Sequence, residues 1–152
     1  MIDDLDRKVL GLLQADATLT NNQLAEAINV SVSQAGRRKH RLEQEGYIKG
    51  YRAHLDPLSL GLSIEAFVEV SLSWHAADAA QAFHAALTDR PEIVGAWTLT
   101  GQADYLLHVF CRDLAGLNVL VHDFLLRQEM VSKVESKIVM QPVLSDGALP
   151  LR

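Results

Sequence analysis

In the first third of the chain, hydrophobic residues recur at the spacing of one helical face. Four of them follow the i, i+4, i+7, i+8 pattern: Leu5, Val9, Leu12 and Leu13. This pattern predicts an amphipathic helix over residues 3–16. Asp3 and Asp4 favour its start, because the N-terminal end of a helix carries partial positive charge. The pattern breaks at residues 17–18, where we expect the helix to have ended.

Two capping boxes, which begin eleven residues apart, predict two further helices. In the first box, the Thr20 hydroxyl accepts a hydrogen bond from a free backbone amide, and the Gln23 side chain reaches back to the Thr20 amide. Ser31 and Gln34 repeat the arrangement. The helix that starts after Ser31 is predicted to cover residues 32–45.

The turn between these two helices is very short. Only Asn29 and Val30 lie between them. So tight a bend needs a residue in the left-handed region, and Asn29 is the expected one. The longer helix is expected to stop at Gly46. A short helix, a tight turn and a longer basic helix are typical of a helix-turn-helix DNA-binding module.

The third helix and the segment after it carry the candidate DNA contacts. In such a module, short polar side chains near the helix start reach base edges, while arginines bind phosphates or guanine. We predict contacts from Ser31, Ser33, Gln34, Arg37, Arg38, Arg41, Lys49 and Arg52. Alternatives stay open, because the capping box can use Gln34 fully and the basic residues can be merely exposed.

The remainder of the chain alternates between strand and helix patterns. Residues 47–55 predict a strand, which would form the wing of the first module. Strands are then predicted at residues 64–72, 93–100, 104–111 and 130–140, with helices at 76–89 and after Asp113. The order βαββαβ indicates an α+β ferredoxin-like domain with helices on one face of an antiparallel sheet. The other face carries Phe67 and needs cover, so we expect a homodimer.

The domain boundaries follow from this pattern and from the turn signal at residues 56–57. The predicted divisions are residues 1–48 (helix-turn-helix DNA-binding domain), 49–60 (strand and linker), 61–142 (βαββαβ effector-binding and oligomerisation domain) and 143–152 (C-terminal tail).

Composition limits the class of protein. The chain has 152 residues, of which 49% are hydrophobic and 22% charged, so we expect packed cores rather than disorder. No apolar run approaches the roughly 18–20 residues of a membrane helix, and no basic-then-apolar leader points to export. The single cysteine, Cys111, forms no internal disulfide and is interpreted as a core residue. These features together predict a cytoplasmic protein.

The formal net charge of −5 argues against a nucleic-acid partner only if the charge is evenly spread. Residues 1–54 carry eight basic and seven acidic residues, a net +1, whereas residues 55–152 carry six and twelve, a net −6. Residues 36–52 alone carry +4. The acidity therefore belongs to the second module, and the predicted recognition helix lies in a basic segment.

Two motifs resemble those of the Lrp/AsnC family of bacterial and archaeal regulators. The segment SVSQAGRRKHRLEQEGYIKGY (residues 31–51) resembles the family's recognition helix and following strand. The segment TGQADYLL (residues 100–107) resembles its G-D-x-D-Y turn. The opening LDRKVLGLLQ and the late strand also fit, so the resemblance covers nearly the whole chain.

The resemblance implies a transcriptional regulator that binds double-stranded DNA in a sequence-specific way and responds to an amino acid or a related metabolite. It implies homodimers that assemble further, from tetramers to octamers, with the effector at an interface between subunits. Carried over by position, the effector-binding residues are Thr98, Thr100, Gly101, Gln102, Asp104 and Tyr105. The alternative interpretation is a hairpin turn in which Asp104 satisfies local amides and Tyr105 lies in the interface.

Three positions depart from the family pattern. Gln102 stands where the family often has an acid, which puts the class of effector in doubt, since a neutral amide binds an ammonium group more weakly. Gly36 lies inside the recognition helix, where glycine costs about 1 kcal/mol relative to alanine unless it permits a close approach. Lys39 replaces an aliphatic residue, and its stem is expected to pack while its ammonium reaches water.

Other chemistry finds little support. The histidines show no metal-ligand spacing, and there is no phosphate-binding loop or nucleophile elbow, so we predict no metal, no cofactor beyond the effector and no catalytic residues. Two alternatives remain: a nucleoid-architectural DNA binder without an effector, and an enzyme similar to the sirohaem decarboxylases, which resemble this family. The enzyme alternative gives the basic recognition helix no function.

Overall fold

The computed structural model describes residues 2–73, 77–145 and 147–151, without the side chains of residues 77–79. It divides into two compact units. The first comprises Met1–His54 together with Val143–Arg152, and the second comprises Leu55–Pro142. The predicted start of the first helix of the second unit, Ala76, lies outside the described residues.

Three helices form the first unit: α1 (Asp4–Ala15), α2 (Asn21–Ile28) and α3 (Val32–Gln44). Both predicted capping boxes are confirmed, at Thr20 and at Ser31. Asn29 has φ 55° and ψ 53°, so the predicted left-handed turn residue is also confirmed. A third capping box, between Asp3 and Asp6, begins α1 and was not predicted.

The core of this unit forms where the apolar faces of the three helices pack against one another. Its buried members are Val9, Leu10, Leu13, Leu24, Ala25, Ile28, Ala35 and Leu42. Ala25 and Ala35 are small enough for α2 and α3 to approach closely across the tight turn.

The predicted strand over residues 47–55 is wrong. The segment has no strand in the described chain, and residues 51–56 run without regular structure. Its alternation fits a strand, but a strand forms only where a second backbone pairs with it, and every pairing in the described residues lies in the sheet of the second unit.

The second unit has the order β1 (Ile64–Leu72), α4 (Ala77–Thr88), β2 (Ile93–Thr98), β3 (Tyr105–Cys111), α5 (Leu114–Asn118) and β4 (Val131–Ile138). After α5 the helix continues as a π-helical segment (Val119–Phe124) and a short 3-10 turn (Leu125–Arg127). The strands lie side by side in the order β2-β3-β1-β4, and all pairs are antiparallel. The predicted βαββαβ fold is therefore confirmed.

The helices cover one face of this sheet. Ala66, Val68 and Val70 of β1 and alternate residues of β3 turn towards them and are buried with Phe83 and Phe124. Cys111 belongs to this core and is 2% exposed, and burial raises the pKa of its thiol, as expected of a core cysteine. Among the described residues, no helix is long and apolar enough to cross a membrane.

Candidate functional site

The start of α3 presents a polar edge. Ser31, Ser33 and Gln34 are exposed there. The Ser31 hydroxyl accepts from the Gln34 backbone N–H at 3.3 Å, and the Gln34 side-chain oxygen accepts from the Ser31 N–H at 3.1 Å. The capping box therefore occupies the carbonyl oxygen of Gln34 but not its amino group. A bidentate bond to adenine needs both, so the arrangement leaves Gln34 suited to donate to an acceptor on a base or phosphate.

Arg37 lies one turn further along the same edge. Its side chain is exposed, and its Nε–H donates to the Ser33 carbonyl oxygen at 3.4 Å. That bond uses the inner nitrogen and leaves the terminal guanidinium nitrogens available to a ligand. Among the charged residues of α3 that were predicted to bind DNA, Arg37 is therefore the exposed one.

Arg38 and Arg41 bind a buried carboxylate on α1. Asp6 is fully buried at 0% exposure. Arg38 Nη1 donates to Asp6 Oδ1 at 2.7 Å and to both oxygens of Asp3, while Arg41 Nη2 donates to Asp6 Oδ2. The Asp3 backbone N–H donates to Asp6 Oδ2 at 2.9 Å. Two of the predicted DNA contacts are therefore part of an ion-pair cluster that joins α1 to α3.

The cluster keeps Asp6 ionised. Burial by itself raises the pKa of this carboxyl, but the Asp3 amide and the guanidinium groups of Arg41 and Arg38 outweigh burial and lower the pKa to about 2. The signal that could have revealed this was present in the sequence. Asp6 precedes Val9, Leu10 and Leu13 at helical spacing, on the apolar face of α1, and a charge in that position requires a partner.

The segment after α3 is attached to the helix through Tyr51. Its hydroxyl donates to Glu43 Oε1 at 2.9 Å, and the Lys39 ammonium lies 5.2 Å from the centre of its ring. Burial and the neighbouring Glu43 raise the pKa of Tyr51 to about 12. These contacts explain the unusual Lys39, because its charge interacts with an aromatic face rather than only with water. Lys49 and Arg52 are exposed on this segment.

Packing within the protein explains the glycine at position 36. A Cβ added to it would lie 3.1 Å from the Asn21 side-chain nitrogen, so the glycine admits the start of α2 beside α3. The close approach is therefore to Asn21.

The predicted effector turn joins β2 to β3. The Leu99 N–H donates to the Asp104 carbonyl at 2.8 Å and closes the hairpin, and Gly101 adopts φ 125°, a conformation that favours glycine. Thr100, Gly101 and Gln102 are exposed on the turn.

Asp104 is hydrogen-bonded to the backbone of β1. Its Oδ2 accepts from the Leu72 N–H at 2.7 Å, and its own N–H donates to the Val70 carbonyl at 3.0 Å. The side chain thus extends the β1–β3 ladder by one bond beyond the last paired residues. This geometry favours the alternative in which Asp104 satisfies local amides.

Thr98 and Tyr105 line a cleft of about 560 Å³ between β2 and α4. Its other walls are mainly apolar and include Leu87, Ile93 and Trp97. The Tyr105 hydroxyl lies 3.1 Å from His84 Nε2. Sequence reasoning did not single out His84, since it is one polar residue in an alanine-rich helix with no motif around it. The described residues contain no cluster suited to a metal ion.

The sheet face turned away from the helices is partly apolar. Phe67 stacks on the His108 ring at 4.6 Å, and Phe110 lies 4.9 Å from the same ring. His108 Nε2 is 2.7 Å from Glu65 Oε1. None of these aromatic residues belongs to the core cluster under the helices. We call Phe67, Leu106, His108 and Phe110 the outer sheet face.

Two family models match the chain. A winged helix-turn-helix DNA-binding model matches residues 2–49, and an Lrp/AsnC ligand-binding domain model matches residues 65–149. Among curated proteins, the Escherichia coli K12 DNA-binding transcriptional activator DecR is 34% identical over 151 residues, with 99% of each chain covered. The leucine-responsive regulatory protein of the same strain is 32% identical and covers 99% of this chain and 92% of its own.

Solved structures agree in fold. The transcriptional regulator NMB0573 of Neisseria meningitidis, in complex with L-Met, superposes with a TM-score of 0.95 at 36% identity, covering 99% of this chain and 97% of its own. AsnC of E. coli superposes with a TM-score of 0.86 at 28% identity, covering 95% and 96%.

Proposed function

This chain belongs to the Lrp/AsnC family of transcriptional regulators, and we propose that it changes its affinity for DNA when it binds an amino acid with an uncharged side chain. Family membership confirms the resemblance seen in the two motifs. Because the curated relatives are named DNA-binding regulators, the prediction of a regulator rather than an enzyme is also confirmed.

The observation that carries the DNA-binding proposal is the exposed edge of α3. Ser33, Gln34 and Arg37 lie along it, and Lys49 and Arg52 follow on the attached segment. In the proposed complex the edge enters the major groove, and the two later residues bind phosphates. Arg38 and Arg41 fix the orientation of α3 through their bonds to the carboxylates of α1. We propose a cytoplasmic location on this ground, because a regulator that binds DNA shares a compartment with it.

Selection of duplexes from a random pool tests this proposal against the nucleoid-architectural alternative. A regulator should enrich two half-sites whose centres lie about 10 base pairs apart, or a multiple of that spacing. Binding that enriches no sequence, and that depends on salt alone, would favour the architectural alternative.

The proposed effector site is the exposed turn at Gly101 and Gln102 together with the neighbouring cleft. Backbone amides of the turn would receive the effector carboxylate, since Gly101 admits a close approach. The Gln102 amide is neutral, and the cleft walls at Leu87, Ile93 and Trp97 are apolar. Both features favour an amino acid with an uncharged side chain. The L-Met complex of NMB0573 supports this class.

Replacing Gln102 by alanine should weaken effector binding about tenfold, the value of one hydrogen bond to a charged group, and leave the melting temperature unchanged. Calorimetry with each of the twenty amino acids, first on the wild type, measures the change. Asp104→Ala is the informative comparison, because it removes the acceptor of the Leu72 amide and should lower the melting temperature as well. Equal binding by wild type and Gln102→Ala would exclude Gln102 from the site.

We also propose that two copies pair through the outer sheet face. Aromatic side chains that remain half-buried on one chain are typical interface anchors, and a symmetric pair buries the face on both copies. Dimers of this kind then assemble further, from tetramers to octamers, so that effector binding can act between subunits.

Phe67→Ala should raise the dimer dissociation constant about tenfold, because it removes an aromatic anchor and exposes the His108 ring. Sedimentation velocity over a concentration series measures this, and circular dichroism verifies that the chain is folded. Leu58→Ala, at a side chain that is 71% exposed outside the sheet, is the control. An unchanged dissociation constant would place the interface elsewhere.

A further inference from the structure

The end of the described chain is hydrogen-bonded to α1 through the Gln14 side chain. Gln14 of α1 makes two hydrogen bonds with the backbone of Leu149: its Nε2 donates to the Leu149 carbonyl at 3.2 Å, and its Oε1 accepts from the Leu149 N–H at 2.7 Å. A side-chain amide thereby pairs with one backbone residue as a neighbouring strand would.

A second contact lies two residues later. Leu151 is 37% exposed, whereas Leu144 in the same tail is 85% exposed. A Cβ added to Gly11 would lie 3.6 Å from Leu151 Cδ1, so the Leu151 side chain rests on the surface of α1 where that helix has no side chain of its own. The pairing of the Gln14 side chain with the Leu149 backbone and the apolar contact of Leu151 are independent observations of one docked segment, residues 147–151.

The docked segment faces the residues that follow α3. Leu149 and Leu151 form one wall of a largely apolar cavity of about 520 Å³, and residues 47–52 form another, with Leu10 and Leu13 of α1 between them. On its other side, residues 47–52 are attached to α3 through Tyr51. This short segment, which lacks regular structure, therefore lies between α3 and a groove that the tail closes.

We propose that residues 147–151 act as an intramolecular strap that completes this groove and positions Lys49 and Arg52 for the DNA backbone. The proposal rests on the proposed DNA contacts of these two residues. Without the strap, the apolar groove opens to water and residues 47–52 lose one of the two surfaces that define their path. Their charges then meet phosphates only part of the time.

Two variants test the strap, with one matched control. Gln14→Ala removes both bonds to Leu149, and Leu151→Ser removes the apolar contact. Leu144→Ser makes the same change on the same tail at an exposed position. By hydrogen exchange, the Leu149 amide should exchange about tenfold faster in Gln14→Ala than in wild type or the control. Equal rates would show that the segment is not docked and would overturn the strap.

DNA titrations over a range of salt concentrations test the positioning. Replacing Lys49 and Arg52 together by alanine should lower the slope of log K against log salt by about two, and Leu151→Ser should cause most of that loss while Leu144→Ser causes none. A wild-type slope in Leu151→Ser, beside a reduced slope in the double variant, would overturn the positioning. An unchanged slope in the double variant would overturn it too, and it would specifically remove Lys49 and Arg52 from the proposed contacts.

Discussion

Replacement of Asp6 by alanine is expected to lower the free energy of unfolding by about 3 kcal/mol. The carboxylate is fully buried and binds Arg38, Arg41 and the Asp3 amide at once. Removing it takes the carboxylate acceptor from Arg41 and leaves Arg38 with Asp3 alone, beside an apolar core. Breaking a fully buried pair costs about 3–5 kcal/mol. The lower value is expected here, because both arginines are partly exposed and can recover water.

Urea unfolding followed by circular dichroism measures this difference at neutral pH. Asp4→Ala is the matched control, because its carboxylate pairs with Arg7 on the same helix but is 95% exposed. Exposed pairs of this kind contribute about 0–1 kcal/mol. If Asp6→Ala and Asp4→Ala destabilise the protein equally, the ion-pair cluster does not hold α1 against α3.

The same cluster predicts a specific loss of stability in acid. The pKa of Asp6 is about 2 in the folded chain, against 3.8 for an unperturbed aspartate. A lowered pKa stabilises the fold above the unfolded value, so the contribution is complete above about pH 4 and disappears as the pH falls towards 2. Its size is about 2 kcal/mol. The difference in stability between wild type and Asp6→Ala should shrink over this interval, and a difference that stays constant would contradict the assigned pairing.

Local rules predicted much of the first unit. The capping boxes at Thr20 and Ser31 and the left-handed Asn29 depend on residues within a few positions of one another, so their signals lie together in the sequence. The alternation of β1 predicted which face of the sheet is buried, for the same reason. Family motifs added the turn at Gly101, where the required backbone conformation limits the choice of residue.

Long-range pairing was not predictable in this way. Asp6 and Arg38 are thirty-two positions apart, and Gln14 and Leu149 are 135 apart. Nothing in the spacing of such residues selects one partner over another, although a charge on the apolar face of α1 requires some partner. The strand expected at residues 47–55 failed for a related reason, since alternation describes one backbone and pairing requires two.

These contacts reduce the number of basic side chains in residues 36–52 that are available to bind DNA. Of the six basic residues that give residues 36–52 their positive charge, Arg38 and Arg41 are bound to carboxylates of α1, and Lys39 lies over Tyr51. The exposed cations of the segment are then Arg37, Lys49 and Arg52. Arg37 is the one carried by α3 itself, so the specificity of binding should depend on it more than on its neighbours.

Arg37→Ala is therefore expected to weaken binding to the selected DNA site by about 10–100-fold, which corresponds to about 1–3 kcal/mol for a bidentate contact with guanine. Fluorescence anisotropy with the selected duplex and with an unrelated duplex measures both affinity and discrimination. If Arg37 reads a base, the loss should be larger on the selected duplex, and the preference between the two duplexes should relax.

Arg37→Lys and Arg38→Ala separate the possible causes of such a loss. Lysine keeps the charge but lacks the planar fork of donors, so it should restore binding if Arg37 meets a phosphate and fail to restore it if Arg37 reads guanine. Arg38→Ala should lower stability through the loss of its bonds to Asp3 and Asp6, while the salt dependence of DNA binding by the folded protein stays near that of wild type. The opposite pattern, with Arg37→Ala silent and Arg38→Ala lowering the salt slope by about one, would mean that Arg38 leaves the carboxylates of α1 to bind a phosphate. In that case the cluster around Asp6 would be a conformational element released by DNA rather than a fixed brace.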